Sequence, residues 1–336
     1  MELPFELRSA IENKLQHMKI KDVKKNAENI SLRYRTESGK GKKLVTEEVE
    51  ALAYSAVRMP ATFGAVCTAL KNTFEIYEEL RKKSTLNNDL EIVSLLDVGA
   101  GTGAGTWAAS QFSDFDNITC LEREDVMLNL GKSLMRESES NELKKVSWKK
   151  FDLVIDEIKD NADLVICSYV LNELDDINRM KALQKLWKAT NKILLIIEPG
   201  TPAGFEKIKE MRKWLINNNA SVLAPCPNSG KCLMPEDDWC HTTCRVSRSK
   251  IHKLLKSGEV PYEDEKFSYI AVCKYKFNSN NIVRVLRHPK IEAGKITLKV
   301  CNKDGVNINV ITKKDKNLFK KVRKINCGDC YQLAIK

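Results

Sequence analysis

The stretch Leu95–Trp107, LLDVGAGTGAGTW, decides the fold of this chain. Residues 92–96 form an apolar run that predicts a buried strand of a parallel sheet. A turn with four glycines follows, and the chain then continues into the helix-forming residues 107–109. Glycines let a backbone approach a ligand closely, and the first turn of a helix offers free N–H groups. The stretch therefore predicts a nucleotide-binding strand–turn–helix unit.

Two classes of ligand fit such a turn. Dinucleotide sites carry Gly-x-Gly-x-x-Gly, but here an acid stands two residues before the first glycine, giving Asp-x-Gly-x-Gly-x-Gly. That pattern resembles the first motif of class I S-adenosylmethionine-dependent methyltransferases, although an ordinary strand-to-helix connection can look similar. In that family an acid at the end of the second strand holds the ribose hydroxyls. The resemblance implies a cofactor site made of Asp97, Gly99, Gly101, Gly103 and Glu122.

Residues 91–200 alternate strand and helix patterns, which is typical of an α/β fold with a parallel sheet. After the strands that end at Asp97 and Glu122, further strands are predicted over 146–151, 163–168 and 193–198. Ligands in such sheets bind beyond the carboxyl ends of the strands. Asp152 follows the third strand, where an acid of the methyltransferase fold often receives the adenine amino group. A solvated aspartate after a strand is an equal alternative.

The remaining sequence divides around this sheet. Residues 1–88 are predicted to form helices, with runs over 7–18, 47–70 (broken or kinked at Pro60) and 73–83, and a loop at Gly39–Lys43. Residues 89–277 form the predicted methyltransferase-like domain, with an insertion at about 205–266 and a further strand at Phe267–Cys273. Residues 278–336 are predicted to form a small β module containing a hairpin around Asp304-Gly305.

The positive charge of the chain is concentrated at its C-terminus. The net charge is +11, and residues 279–336 contain 14 Lys and Arg against 4 Asp and Glu. Clustered cations bind polyanions favourably, because neutralising the phosphates releases their counterions. The C-terminal module is therefore predicted to bind RNA, with an ordinary solvated lysine surface as the alternative.

A second candidate site lies in the insertion. Residues 224–245, APCPNSGKCLMPEDDWCHTTCR, contain Cys226, Cys232, Cys240 and Cys244 among three prolines. A loop of this composition needs something to fix it, and a thiolate-bound metal would do so. The spacing is not that of a zinc finger, whereas wider spacings can hold an iron–sulfur cluster. Four reduced thiols are the alternative.

The same segment carries a more specific resemblance. PCPNSGKC, DWCH and the residues 258–269, together with 53–62, 198–205 and 284–289, resemble the methyltransferase-like family associated with the mitochondrial small ribosomal subunit and its bacterial relatives. This resemblance covers nearly the whole chain. It implies binding to the small ribosomal subunit during its assembly and a [4Fe–4S] cluster, with zinc as the alternative. The implied ligands are Cys226, Cys232, Cys240 and Cys301, with Cys244 competing for the fourth place.

Two interpretations of the function follow. The chain is either a methyltransferase acting on small-subunit ribosomal RNA or protein, or a catalytically inactive assembly factor that uses the fold and the cluster structurally. The catalytic residues are unknown, because residues 168–173 replace the motif that amino-methylating enzymes often carry after the fourth strand. The pair Cys327 and Cys330 has a spacing suited to zinc or redox chemistry, and the family pattern does not explain it.

The sequence also predicts the cellular location and the oligomeric state of the protein. No run approaches the roughly 18 apolar residues that span a bilayer, so no membrane partner is predicted. The first residues are acidic and lack the pattern of a secretory or transit signal, and eleven cysteines then suggest thiols and metal ligands rather than disulfides. We expect a cytoplasmic protein of bacterial type with mitochondrial relatives, monomeric when it is off the ribosome.

Overall fold

The computed structural model describes residues 1–37, 43–83, 90–256, 258–276 and 282–332. The chain folds into two compact units, each assembled from separate segments of sequence. Unit 1 contains Met1–Leu70, Glu91–Ile197 and Cys244–Glu265, and unit 2 contains Lys71–Leu90, Glu198–Thr243 and Lys266–Lys336. The three contiguous regions that the sequence suggests remain a prediction.

Unit 1 is built around a parallel sheet with the strand order β3-β2-β1-β4-β5. The strands are β1 (Ser94–Val98), β2 (Asn117–Glu122), β3 (Ser147–Lys150), β4 (Ala162–Ser168) and β5 (Thr190–Pro199). All five were predicted, and the α/β fold class with a Rossmann-like parallel sheet is confirmed. Because β1 pairs with both β2 and β4, the strand order reverses next to β1. The glycine turn therefore leaves β1 at the topological switch point, where ligands of open α/β sheets bind.

Helices surround this sheet and form the N-terminal part of the chain. They are α1 (Phe5–Leu15), α2 (Ile20–Thr36), α3 (Glu48–Val57), α4 (Met59–Lys83), α5 (Ala104–Ala109), α6 (Asp125–Arg136), α7 (Asn141–Lys144) and α8 (Asp176–Ala189), with a 3-10 turn at Leu171–Glu173. The helix α2 lies within the region 1–88 that was predicted to be helical, although it was not among the predicted runs. The loop predicted at Gly39–Lys43 lies outside the described residues, except for Lys43.

The structure corrects one helix boundary. The helical run predicted over 47–70 is interrupted at Arg58, beside Pro60 as predicted, because α3 ends at Val57 and α4 begins at Met59. The separate helix predicted at 73–83 is instead part of α4, which runs without interruption to Lys83. Pro60 is the second residue of α4, where a missing N–H has no partner within the helix. The stretch 70–73 contains no glycine or proline to end the helix.

Unit 2 contains an antiparallel strand pair and a small second sheet. The strand β8 (Tyr262–Cys273), which includes the predicted strand at 267–273, pairs with β6 (Ser221–Ala224). The helix α9 (Pro202–Asn217) precedes β6, and β7 (Thr242–Ser247) and α10 (Lys250–Lys256) follow it in the chain. The second sheet has the order β10-β11-β9-β13, with β12 paired to β11.

This second sheet forms the C-terminal module. Its elements are β9 (Ile282–Val285), β10 (Lys290–Glu292), β11 (Lys295–Asn302), β12 (Gly305–Thr312), α11 (Lys316–Val322) and β13 (Cys330–Gln332). The predicted hairpin is confirmed, because β11 and β12 pair antiparallel from Asn302–Gly305 outward. Alternate apolar side chains fill the core of the module, namely Val283, Val285, Ile296, Leu298, Val300, Ile311, Val322 and Tyr331.

None of the described helices combines the length and the apolar character that crossing a bilayer requires.

Candidate functional site

The turn after β1 follows a backbone path that favours glycine. The φ angle is +69° at Gly99, +57° at Gly101 and +90° at Gly103, a region that side chains with a Cβ rarely adopt. A Cβ on Gly99 would lie 2.3 Å from Cγ2 of Val170, and one on Gly103 would lie 2.4 Å from Cε of Met135. Three of the predicted glycines are therefore required by the conformation of the turn itself.

Glu122 ties the end of β2 to this turn. Its Oε2 accepts a hydrogen bond from the Gly101 N–H at 2.7 Å, and its Oε1 accepts one from the Glu124 N–H at 2.8 Å. Burial raises the pKa of Glu122, although these backbone N–H groups act against the rise. Each carboxylate oxygen has a second lone pair, so Glu122 can hold the turn and still accept hydrogen bonds from a ligand.

Asp97 is fully buried at the end of β1 and caps the helix α5. Its Oδ2 accepts hydrogen bonds from the backbone N–H and the hydroxyl of Thr106, both at 2.9 Å, while Oδ1 has no hydrogen-bond partner. Burial raises the pKa of Asp97 to about 6, against the opposing effect of the two bonds from Thr106. Asp97 thus satisfies one of the free N–H groups at the start of α5 and fixes the helix on the glycine turn.

The titration of Asp97 leads to a prediction about stability. Its pKa in the folded state is above the ordinary value of 3.8, so the folded chain binds the extra proton and loses stability as the pH rises from about 4 to about 6. Relative to Asp97→Asn, which cannot titrate, the wild type should lose about 2–3 kcal/mol across that window. Urea unfolding of the cofactor-free proteins at a series of pH values measures this. Parallel curves for the two proteins would contradict the prediction.

Asp152 lies two residues beyond β3, as predicted, and is partly exposed. Its Oδ1 accepts a hydrogen bond from the Val154 N–H at 2.9 Å, and its own N–H donates to Oδ2 of Asp156 at 2.8 Å. These bonds form a compact turn at the edge of the sheet. Asp152 is the first residue of a local turn in this arrangement, and its adenine contact stays a prediction.

Unit 1 also contains a polar cluster that was not predicted. Tyr169, directly after β4, has a φ of +60°, which is strained for a residue with a side chain. Its hydroxyl donates to Oε1 of Glu265 at 2.9 Å. Burial disfavours the Arg58 cation, but the nearby carboxylate of Glu265 keeps the pKa of Arg58 above its ordinary value. Strain of this kind concentrates at functional sites, so the cluster marks the carboxyl end of β4 as part of the candidate site.

Aromatic and acidic side chains continue this cluster toward Glu122. The rings of Tyr34 and Tyr54 lie 6.0 Å apart between centroids. Burial and then the proximity of Tyr54, Glu173, Glu124 and Glu122 raise the pKa of Tyr34 well above 10. The sequence did contain a signal for part of this group, because residues 53–62 carry the family resemblance. Nothing in the sequence showed that they surround the end of β2.

Glu124 connects the N-terminal helices to the same region. Its carboxylate accepts hydrogen bonds from the backbone N–H groups of Leu44 at 2.7 Å and Val45 at 3.1 Å. Burial raises the pKa of Glu124 to about 7. The segment before α3 is therefore held by a carboxyl group that lies two residues after Glu122 and that sequence analysis did not single out.

The second candidate site is a cavity within unit 2. All four predicted ligands, Cys226, Cys232, Cys240 and Cys301, line this one cavity, together with Arg212, His241, Tyr269 and Arg284. Burial and then the neighbouring thiols of Cys226, Cys301 and Cys232 raise the pKa of Cys240 well above its ordinary value. Burial likewise raises the pKa of Cys301 to about 12. The fold thus brings a cysteine of β11 to the three cysteines of the insertion.

Charged and polar side chains fix the loop that carries these cysteines. Asp238 pairs with Arg287 and, at 2.7 Å, with Lys299. The Ser268 hydroxyl donates to the carbonyl of Cys240 at 2.8 Å, and the Trp239 indole N–H donates to the carbonyl of Gly200 at 3.0 Å. The prolines and glycine of the insertion predicted irregular structure, and these contacts explain why the loop has a defined shape.

The other predicted cysteines lie elsewhere. Cys244 is in unit 1, where a Cβ on Gly64 would lie 3.2 Å from its Sγ, whereas Cys301 lines the cavity of unit 2. Cys327 is buried and donates its thiol to the carbonyl of Leu286 at 3.2 Å. Cys330 begins β13. Over the described residues, no group of three or more His, Cys, Asp or Glu side chains is arranged so that it could hold a metal ion.

Comparison with known families extends these observations. A family model described as "Mitochondrial small ribosomal subunit Rsm22" matches residues 48–332. The chain belongs to the Rsm22 family. The matched region contains the glycine turn, Glu122, the cysteine insertion and Cys301, so both candidate sites of this Rsm22-family chain lie within it.

Curated relatives agree with this membership. The chain is 27% identical over 238 residues to the human mitochondrial ribosome assembly protein METTL17, and the match covers 66% of this chain and 48% of the relative. It is 23% identical over 340 residues to the mitochondrial Rsm22-cox11 tandem protein 2 of Schizosaccharomyces pombe, covering 84% and 43%. The Rsm22-family chain therefore spans about half the length of these relatives.

Among solved structures, the chain is similar to the magnesium protoporphyrin IX methyltransferase of Synechocystis with bound SAM. The identity is 12% and the TM-score 0.38, and the match covers 72% of this chain and 90% of that one.

Proposed function

We propose that this chain binds S-adenosylmethionine at the turn after β1 and acts on the small ribosomal subunit or in its assembly. One observation carries the cofactor proposal: three glycines with positive φ form the turn at the switch point of the sheet, and Glu122 fixes the Gly101 N–H. Membership of the Rsm22 family supports the ribosomal partner. A relative named as a ribosome assembly protein supports it further.

Each part of the turn has a task in this proposal. Gly99, Gly101 and Gly103 keep the backbone free of Cβ atoms where the cofactor approaches, and Glu122 accepts hydrogen bonds from its ribose hydroxyls. Asp97 holds α5 in place, and Asp152 receives the adenine amino group. When bound, the sulfonium of the cofactor supplies an electrophilic methyl group. The chain would then mainly align the acceptor, since orientation supplies much of the rate in such a transfer.

We also propose that the cavity of unit 2 holds a [4Fe–4S] cluster through Cys226, Cys232, Cys240 and Cys301, with zinc as the alternative. The chemistry of the donor set supports this, because four thiols line one cavity and thiolates are the ligands of such clusters. Two buried guanidinium groups in the same cavity each have an atom without a hydrogen-bond partner. An anionic group bound there would be surrounded by donors that the protein itself does not satisfy.

A catalytically inactive assembly factor is the second candidate function, and contacts in the turn favour it. Val170 packs against Gly99, where the cofactor would approach the turn. The hydroxyl of Tyr169, at the end of β4, is engaged with Glu265, so no catalytic base is assigned. If the chain is such an assembly factor, the fold and the cluster serve only for binding, and the C-terminal module provides most of the affinity for RNA.

We propose that the chain is monomeric off the ribosome and binds ribosomal RNA through its C-terminal module. A cytoplasmic location stays a prediction of the sequence, while the relatives compared above are named as mitochondrial.

One experiment separates the two functions. Small ribosomal subunits from a strain lacking this protein are incubated with methyl-labelled S-adenosylmethionine and either the wild type, Glu122→Ala or the control Glu139→Ala, whose side chain is exposed. Calorimetry measures cofactor affinity in parallel. We expect Glu122→Ala to weaken binding roughly tenfold to a hundredfold, because it removes charge-assisted hydrogen bonds worth about 1.5–3 kcal/mol.

The outcomes are distinct. Transfer of label by the wild type and the control establishes an enzyme, and mapping the label identifies the acceptor. Cofactor binding without transfer, with subunit binding retained, establishes the assembly factor. A wild type that does not bind the cofactor overturns the cofactor proposal in both versions.

A further inference from the structure

Two arginines line the cysteine cavity and are almost completely buried. The exposed fraction is 2% for Arg284 and 5% for Arg212. Arg284 extends from β9 and Arg212 from α9, so the two guanidinium groups come from separate elements of unit 2. Long cationic side chains are rarely buried without a charged partner. Their presence beside four cysteines therefore needs an explanation.

The hydrogen bonds of these arginines go to neutral backbone groups. Arg284 donates from Nε to the carbonyl of Pro225 at 2.8 Å and from Nη1 to the carbonyl of Gly328 at 2.6 Å, while Nη2 has no hydrogen-bond partner. Arg212 donates from Nη2 to the carbonyl of Asn228 at 2.9 Å, while Nε has none. Neither forms an ion pair with a carboxylate of the part of the chain that the structure describes. Both guanidinium charges are thus left without an anion.

A buried charge without a partner is strongly disfavoured. Among the described residues, no carboxylate group lines this cavity. The missing anion must therefore come from its sulfur atoms or from a group bound to them. A cluster held by four thiolates is a dianion, which matches two guanidinium groups in sign and in number.

Resting on the proposed cluster, we propose that Arg212 and Arg284 are positioning residues that neutralise it, with Nη2 of Arg284 and Nε of Arg212 donating hydrogen bonds to its sulfur atoms. The reduction potential of an iron–sulfur cluster depends on net charge and on hydrogen bonds to sulfur. Reduction adds one electron, and nearby cations favour the more negative state. The two arginines therefore raise the potential and slow the loss of iron.

The turn Cys327–Cys330 has a place in this proposal. The carbonyl of Gly328 accepts the Nη1 hydrogen bond of Arg284, and the Cys327 thiol donates to the carbonyl of Leu286. Gly328 has a φ of +92°, and a Cβ there would lie 2.3 Å from Cγ2 of Thr242. The segment thus acts by holding Arg284 rather than by binding a separate metal.

The test compares Arg284→Gln, Arg284→Lys, Arg212→Gln and Arg212→Lys with the wild type, after anaerobic reconstitution of the full chain with iron and sulfide. The control is Arg323→Gln, which makes the same change of charge at an exposed arginine of unit 2. Iron and sulfide content, the midpoint potential from a dithionite titration and the rate of iron release to a chelator are measured. Circular dichroism and thermal unfolding of the metal-free proteins report on folding.

We expect both glutamine variants to have a more negative midpoint potential and to release iron about tenfold faster. The lysine variants, which keep the charge, should recover most of the potential, and the control should differ little from the wild type. Because Arg284 also bridges two carbonyls, Arg212→Gln keeps the test valid if Arg284→Gln does not fold. Loaded glutamine variants with the wild-type potential overturn this inference alone. A wild type that holds no sulfide overturns the cluster proposal and the inference with it.

Discussion

Charge reversal at Lys313, Lys314, Lys320 and Lys321 is expected to abolish binding to the small ribosomal subunit while the C-terminal module stays folded. All four side chains are exposed, at the end of β12 and on α11. The core of the module is formed by other side chains of these elements, such as Ile311 and Val322. The charge reversals therefore leave the core unchanged. Each lysine that neutralises a phosphate releases counterions. Four reversals should therefore lower the affinity by at least about a thousandfold at low salt.

The salt dependence identifies the mechanism. The logarithm of the binding constant should fall less steeply with the logarithm of the salt concentration, by a slope change of about 3 for four lost phosphate contacts. The matched control reverses Lys132, Lys144, Lys145 and Lys188, which are exposed lysines of unit 1, and so makes the same change in net charge. If both variants bind alike, or if the slope of the first is unchanged, the module does not contact RNA through these residues.

Replacing Cys240 by serine is expected to remove nearly all bound iron and sulfide from anaerobically prepared protein. Cys240 lies in the cavity with the other three proposed ligands. Burial and then the neighbouring thiols of Cys226, Cys301 and Cys232 raise the pKa of its thiol. A bound structural metal contributes directly to folding free energy, so the variant should also unfold at a lower temperature. Iron and sulfide analysis, visible absorption and thermal unfolding measure these effects.

Two further variants distinguish Cys301 from Cys244 as the fourth ligand. Cys301→Ser should behave like Cys240→Ser, because Cys301 lines the cavity, whereas Cys244→Ser in unit 1 should keep its iron and sulfide. Cys327→Ser serves as a second control, since that thiol donates to a backbone carbonyl. A full cluster in Cys301→Ser together with its loss in Cys244→Ser would reverse the assignment. Stoichiometric zinc without sulfide in the wild type would replace the cluster by a zinc site.

The parallel sheet and its glycine turn could be predicted because their signals are local. A buried strand is a short apolar run, and the spacing of Gly99, Gly101 and Gly103 reports directly on the backbone angles of the turn. The hairpin around Gly305 was visible for the same reason. The interruption beside Pro60 was predictable because proline ends one helix and suits the first turn of the next.

Long-range pairings could not be predicted in this way. No spacing rule brings Tyr169 to Glu265 or Arg284 to the carbonyl of Pro225, because these contacts depend on how distant segments pack. Cys301 was connected to the insertion only through a family resemblance, and the cavity in which it lies is a tertiary feature. The burial of two arginines in the cavity of the cysteines could likewise not be predicted, since arginine is usually a surface residue.

The interleaved segments of unit 2 have a consequence for biosynthesis. A translating ribosome releases Cys226, Cys232 and Cys240 before the strands that carry Arg284 and Cys301 have left the exit tunnel. The cavity therefore closes only after β9 and β11 have been released from the tunnel, and until then the nascent chain carries three thiols without their partners. We expect metal delivery to follow the release of β11, and a chain arrested before β9 to be a target for oxidation and quality-control proteases.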